Sequence, residues 1–513
     1  MEFQLKYTPR IIAKRLGGPA GPARLNAIVC ASALLALGSA AQAQSIVANF
    51  AGLNLAQTGP ANGFRYAPPD SNGAIGKDHF VEFINGGYSV FDRSGGQQSF
   101  TTDSTFWLNA GASSSLVNEG LSDTRVKYDA TSGRWFASEI TLGNASTLNN
   151  SVLVAVSKTS NPLDGWTSTS YNVAGSTLFN DYPTLSVDAN AIYIGTNNFG
   201  ASGFESVTLS SIPKSSLLGA APSTSGIATF TQGLSSGPAM GFTPQAVTNS
   251  GTGYTGSSIV SISATAFNEV NITKINNTAG AGATLGATTV TYIAYDGNPT
   301  LARQPGGSRV VDGLDDRFSG TIYQVGNIIY AANAINVDNA GGGLAAGFNK
   351  VHWIMLDATT GALLQEGLIG DASHDYWQPS IAANEKGDVV IGFNKSGADL
   401  NISAVAAVGH TVNGVLSFAD EVLLKTSSVG NYTDGFGNPS SRWGDYSATM
   451  LDPTNSNVFW TVQEVAYGST TWGTQISAID VTAVPEPETY ALMLAGLGVI
   501  GWASCRRREG TTA

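Results

Sequence analysis

Five pairs of polar residues recur at the two ends of short extended segments, and they are where this chain could do chemistry. They are Asp123 with Glu139, Asp181 with Asn197, Arg317 with Asn333, Gln378 with Asn394, and Asp445 with Glu464. Each pair brackets two apolar runs separated by a polar turn, the outline of a β-hairpin. A hairpin goes out and back, so its end residues lie side by side. If every hairpin sits alike, the pairs gather on one rim. Such a rim has three readings. Asp and Asn cap turns and bond neighbouring backbone, which would make the ring structural. Alternatively, carboxylates and amides would pair with sugar hydroxyls while Trp107, Trp135, Trp377, Trp443 and Trp460 offer apolar faces. Hydrolysis of a glycan is the third reading, since two of Asp123, Glu139, Asp181, Asp445 and Glu464 could flank a glycosidic bond. Arg125, Arg317 and Arg442 each fall within three residues of a hairpin start. Three guanidiniums so placed could converge on a carboxylate ligand.

Other chemistry has less support. The four histidines, His79, His352, His374 and His410, show no metal-ligand spacing,. No cofactor or metal is expected, and calcium has only the weak candidate turns Asp452–Asn457 and Asp312–Asp316, without a full loop motif. A phosphate-cradling glycine loop and a Gly-x-Ser-x-Gly elbow are both missing.

The elements that would position the rim repeat along the chain. Hairpins start near Asp70, Asp123, Asp181, Pro244, Arg317, Gln378 and Asp445, and further extended runs such as Ser151–Ser157 and Trp166–Val173 follow them. That spacing leaves room for about four strands per unit. It predicts an all-β fold, a β-propeller of about seven four-stranded blades, or six if the poor copy near Pro244 is an insertion. A pair of β-sandwiches is the rival architecture. The segment from Ser235 to Ala287, dominated by Gly, Ser, Thr and Asn, reads as the place for a long surface loop.

Charge and cysteine usage narrow the class. Only 12% of the chain is charged against 42% hydrophobic, and the net charge is −12. An acidic surface disfavours nucleic acid and anionic lipid, which need basic footprints. Cys30 and Cys505 both fall in terminal segments, leaving the body without thiol chemistry,. Residues 1–43 read as a signal peptide, with a basic start, an apolar run from Ala27 to Leu37 and the small residues Ala41 and Ala43 before a cut,. Residues 44–483 form the ectodomain. After Val484 come Pro485-Glu486-Pro487, an apolar stretch over 490–504 of membrane-helix character, and Arg506-Arg507-Arg508. The arginines would hold that end on the cytoplasmic side.

The tail resembles the PEP-CTERM sorting signal. The motif is Pro485-Glu486-Pro487, the helix spans 490–504, and the basic cluster is Arg506, Arg507 and Arg508. The resemblance implies recognition by an exosortase-type sorting enzyme in a Gram-negative bacterium, membrane residence through the C-terminal helix before processing, and a link to exopolysaccharide or biofilm. The body is weakly similar to sialidase- and arabinanase-like propellers, through the phrase Ser157 to Trp166 and the three arginines. It departs from them in having no Ser-x-Asp-x-Gly-x-Thr-Trp box and no common repeat position for the arginines. The expectation is an exported surface or matrix protein that binds polysaccharide without catalysis. A glycoside hydrolase or lyase acting on the same polymer is the alternative.

Overall fold

The computed structural model describes residues 43–143, 149–173, 177–233, 240–249, 256–264, 266–306, 308–338 and 347–484. The leader and the tail motif, with its arginines, lie outside them. No described helix is long and apolar enough to cross a membrane, and the stretch 490–504 is not among those residues.

Six four-stranded antiparallel sheets and one whose innermost strand is split in two, Phe179–Asp181 and Ser186–Val187, follow one another and make a seven-bladed propeller. Blade 1 holds Gly73–Ile75, His79–Ile84, Gly87–Asp92 and Gln97–Thr101, and blade 2 holds Leu121–Asp129, Arg134–Thr141, Val152–Ser157 and Trp166–Tyr171. In both, the first strand lies nearest the axis and the fourth is outermost. The sequence of each strand fits its layer. A middle strand is covered by blades on both sides, so Val152–Ser157 (VLVAVS) is buried at every position. An outermost strand such as Thr284–Tyr292 has only Thr291 buried and is exposed at Thr284, Ala287, Thr289 and Tyr292,.

The poor hairpin copy is a true blade. Phe242–Ala246 pairs with Gly256–Ile262, which continues through Glu269–Asn276 to Thr284–Tyr292. The surface loop expected over Ser235 to Ala287 is therefore corrected to the fourth blade. Its strands are rich in Thr, Ser and Asn, so their apolar contrast is low, yet Val260, Ile262, Val270 and Ile272 still supply a buried face,.

Apolar clusters lie between successive blades. Val126 and Trp135 pack with Val81 and Phe83 between blades 1 and 2, and Phe136 and Val154 with Ile192 and Ile194 between blades 2 and 3. At roughly 1.5–3 kcal/mol for each fully buried aliphatic or aromatic side chain, these interfaces are the main source of stability in a body without disulfides.

The circle closes through a strand that the hairpin pattern did not announce. Ala43–Asn54 adds to the outer edge of the last blade, whose other strands are Ala448–Leu451, Val458–Gly468 and Thr471–Val484. Glu82 of blade 1 fastens the closure, accepting hydrogen bonds from Leu53 N at 2.8 Å and from the Thr474 hydroxyl. Ile75, Phe80 and Phe91 of blade 1 pack on Ala448, Met450 and Trp460 of blade 7. Deleting residues 43–54 should leave Thr471–Val484 as a raw edge. The expected result, read by calorimetry, is a melting midpoint lower by about 10 °C or more. An unchanged midpoint would refute the closure.

Candidate functional site

The open ends of the hairpins lie around the propeller axis, and at several of them the backbone makes the same unusual move. Asp70, Asp123, Tyr182, Thr243 and Gln378 all take positive φ, between 50° and 64°. The ladder is out of register at three of these points, between Ser122 and Arg125, Phe242 and Gln245, and Trp377 and Ser380. A left-handed residue in a bulge turns its N–H out of the ladder, where the neighbouring blade must satisfy it. Asn85 Oδ1 accepts from Asp123 N at 2.9 Å, Asp123 Oδ2 from Tyr182 N at 3.0 Å, and Asn197 Oδ1 from Thr243 N at 2.9 Å. Asp70 Oδ1 accepts from Asp445 N at 2.7 Å and joins the last blade to the first.

The members of the five pairs divide by layer. Glu139, Asn197, Asn333, Asn394 and Glu464 belong to second strands and are buried between blades. Glu139 accepts from Trp107 Nε1, Asn333 donates to Asp316 O at 2.6 Å, and Asn394 donates to Glu464 O at 2.9 Å while accepting from Trp443 Nε1 at 3.0 Å. Gln378 is buried as well. Asp123, Arg125, Asp181, Arg317, Arg442 and Asp445 come together about the axis with Asp70, the first hairpin start, and with Tyr182 and Tyr446, which the pairing pattern did not single out. The repeated Asp-Tyr dipeptides at 181–182 and 445–446 were the available signal for the tyrosines.

Aromatic rings and carboxylates hold the three arginines here. Arg125 lies 3.2 Å from the centre of the Tyr446 ring and donates to Pro183 O at 3.1 Å. Arg317 lies 4.3 Å from the Tyr182 ring and makes two 2.6 Å bonds to Asp315. Arg442 pairs with Asp445. Burial and mutual repulsion push the carboxyl groups up. Asp70 is held well above its ordinary range by burial, then by Asp445 and Asp123. Asp181 is raised to about 7 by the same causes, and burial alone carries Glu82 to about 7. Burial also drives up Glu139 and Glu464.

The five tryptophans expected as sugar platforms are buried, none more than 2% exposed. This corrects the expectation of exposed rings. An indole buries a large apolar area and needs only one acceptor, and Trp460 Nε1 finds Asp452 at 2.9 Å while Trp135 Nε1 finds Ser160 O at 2.9 Å,. The two turns weighed for calcium use their carboxylates locally, Asp452 on Thr454 N at 2.8 Å and Asp312 on Leu314 N at 3.0 Å. Among the described residues, no group of three or more His, Cys, Asp or Glu is placed to hold a metal.

A cavity of about 760 Å³ occupies the axis at the hairpin-turn face, and every blade lines it. Its wall includes Lys127 and Asp129 of blade 2, Thr248 and Asn249 of blade 4, Tyr323 of blade 5, Asn384 to Lys386 of blade 6 and Asp452 to Ser456 of blade 7. The hairpin pairs lie at the other end of the same strands.

Comparison with known proteins identifies the tail. A family profile described as the PEP-CTERM protein-sorting motif matches residues 483–508. The chain carries a PEP-CTERM sorting signal. This signal directs the protein to export and implies processing by an exosortase-type enzyme. No curated protein matches the chain. Among solved structures, the chain is similar to cobalt-substituted Synechocystis ACO, at 11% identity and TM-score 0.38 over 69% of this chain and 71% of that one. It is similar to the Dos1 propeller at 9% identity and TM-score 0.34, over 79% and 75%. It also resembles Trypanosoma rangeli sialidase in complex with 2,3-difluorosialic acid, at 10% and 0.31, over 72% and 54%. These weak likenesses carry no argument about activity.

Two outcomes test the clasps. Asn197→Ala removes the acceptor for Thr243 N, and Asn394→Ala strands Trp443 Nε1. Each should lower stability by about 1–3 kcal/mol in urea unfolding, the range for a buried hydrogen-bonding group left unpaired. The raised carboxyls also fix a pH trend. Between the ordinary carboxyl range and about 7, the folded chain binds more protons at Glu82 and Asp181 than the unfolded chain does, so stability falls as pH rises through that window,. The melting midpoint at pH 8 should lie below that at pH 5, by on the order of 3 °C. Glu82→Gln should shrink the difference.

Proposed function

We propose that this PEP-CTERM protein is a non-catalytic binding module of the cell surface or extracellular matrix, taking surface polysaccharide or another matrix component at its axial cavity. The observation that carries this reading is the cavity itself. At about 760 Å³, lined by all seven blades, it falls in the size range of ligand pockets, and a propeller axis is where every repeat can contribute a contact,. Its wall mixes amides and hydroxyls with the tyrosine rings of Tyr128 and Tyr323, a lining suited to a polyhydroxylated ligand.

Binding without turnover is favoured over hydrolysis by the state of the carboxylates. Asp123, Glu139 and Glu464 are buried, and Asp123 already serves the Tyr182 backbone. A glycosidase needs two carboxyl groups on opposite faces of one accessible bond. The half-exposed Asp181, Arg317, Arg442 and Asp445 form a second polar surface at the other end of the axis, where the ring first assigned to the ligand sits. In this reading the stretch 490–504 holds the protein in the membrane until the sorting enzyme acts.

The test is a binding assay of the purified protein against polysaccharide extracted from cells that export it, followed by a reducing-end assay. Saturable binding with no new ends is expected. Ala130→Trp and Glu385→Trp, on exposed turn residues at the cavity mouth, should weaken binding tenfold or more while altering stability by no more than about 0.5 kcal/mol. New reducing ends would overturn the reading in favour of a hydrolase.

A further inference from the structure

Lys127 lies two residues beyond Arg125 on the innermost strand of blade 2, so the two cations point the same way, toward the axis,. Its side chain is buried and lines the axial cavity. An ammonium has three protons to donate. Lys127 Nζ has one protein partner, the neutral hydroxyl of Thr321, and no carboxylate among the described residues lies within ion-pair distance. A buried charge without a counter-charge is costly, and Arg125 adds repulsion,.

The rest of the wall does not balance that charge. Asp129 pairs with Lys214, and Asp452 with Arg93. Lys386 bonds Asn457, and Glu385 is exposed at the rim. The same cavity wall carries a free hydroxyl. Thr248 N donates at 2.8 Å to the carbonyl of Ile322, the residue after Thr321, and Thr248 Oγ1 is buried with no hydrogen-bond partner. One ammonium and an unused hydroxyl thus face a cavity far larger than an ion.

We propose that the axial cavity takes the carboxylate of an acidic sugar, a uronate unit of the polysaccharide, against Lys127 Nζ with Thr248 as a hydroxyl partner. The assignment rests on the binding reading above and names the charge of its ligand. A single cation matches one carboxylate. A dianion such as phosphate would leave net negative charge beside Asp129, Glu385 and Asp452. The sugar ring would fill the volume that a free carboxylate leaves empty.

Burial and Arg125 lower the Lys127 ammonium to about 7. Its charge, and with it the affinity for the carboxylate, is therefore present below pH 7 and lost above. The experiment is calorimetric titration of the intact protein with sodium glucuronate, with glucose and acetate as the other two arms, at pH 6 and pH 8. Glucuronate is expected to bind about tenfold more tightly at pH 6 than at pH 8, because the charged fraction of a group titrating near 7 falls about tenfold across that interval. Glucose and acetate should each bind at least tenfold more weakly at pH 6. Lys127→Met, which removes the buried charge and should not lower the melting midpoint, should abolish the pH dependence and reduce glucuronate affinity tenfold or more.

Unchanged affinity in Lys127→Met, or equal affinity at the two pH values, overturns the inference. If neutral glycans bind and Ala130→Trp blocks them while Lys127→Met does not, the binding module stands and the uronate assignment falls. Acetate binding as tightly as glucuronate overturns the sugar half of the assignment. If no extracted polysaccharide binds but glucuronate still does so through Lys127, the polysaccharide reading fails while the carboxylate site survives.

Discussion

The fold depends on a backbone N–H that cannot be satisfied within its own blade. At the open end of several hairpins a non-glycine residue sits at positive φ, which costs of order 1–3 kcal/mol at each position. The bulge it makes presents the N–H to the adjacent blade. Asn85, Asp123 and Asn197 supply the acceptors, at 2.9–3.0 Å, and Asp70 accepts likewise from Asp445 N at 2.7 Å. An unmatched N–H there would cost about as much as the strain itself. Each blade is therefore held in its bulged form by a neighbour, and the circle is stable as a whole.

The same constraint gathers charge at the axis. Acceptors aimed at backbone N–H groups are Asp and Asn, so several blades bring carboxylates to one place. Asp70, Asp123, Asp181 and Asp445 repel one another there, and Arg317 and Arg442 relieve part of that repulsion. Burial works against the Arg317 charge, yet Asp315 outweighs it and holds the guanidinium firmly protonated. The Tyr182 ring meets both Arg125 and Arg317, and the Tyr446 ring meets Arg125. A site that looks built for hydrolysis when read as a composition is, in its contacts, largely the consequence of fastening blades together.

This explains how far the sequence could be read. The blades were legible because each repeats one strong hairpin, and Asp181 does pair with Asn197 across neighbouring strands as the spacing implied. The closing strand Ala43–Asn54 was not, because it is a lone extended run with no hairpin partner nearby in sequence. Blade 4 was nearly lost for a different reason, since Thr and Ser can fill a strand without giving apolar contrast. Burial was the hardest property to foresee. An Asp at a hairpin end looks the same in the sequence whether it faces solvent or the next blade, and the tryptophans look the same whether they offer a face or hide one. Lys127 lies inside a strand and not at a hairpin end, and its only signal in the sequence is the alternation Arg125-Val126-Lys127, which places two cations on one face,.

The two ends of the axis then divide the work. At the open end, Ala302–Arg303 pairs with Arg309–Val311 in a small sheet, fixed by the buried Arg303 to Asp375 ion pair at 2.8 Å. Its Ala302 and Val311 pack with Leu53, Trp377, Tyr432, Trp443 and Trp472 in one apolar cluster. Part of this end is covered, and its Asp70, Asp123 and Asn197 are committed to the backbone. At the hairpin-turn end, Asp129, Asp357 and Asp452 bond the N–H groups of their own turns, so those turns need no partner across the axis,. Self-sufficient turns leave the axis unfilled, and the cavity lies there for that reason. A ligand entering it displaces no clasp, so binding at this face is compatible with an intact circle, whereas reaching Asp123 from the other face would require breaking its bond to Tyr182 N.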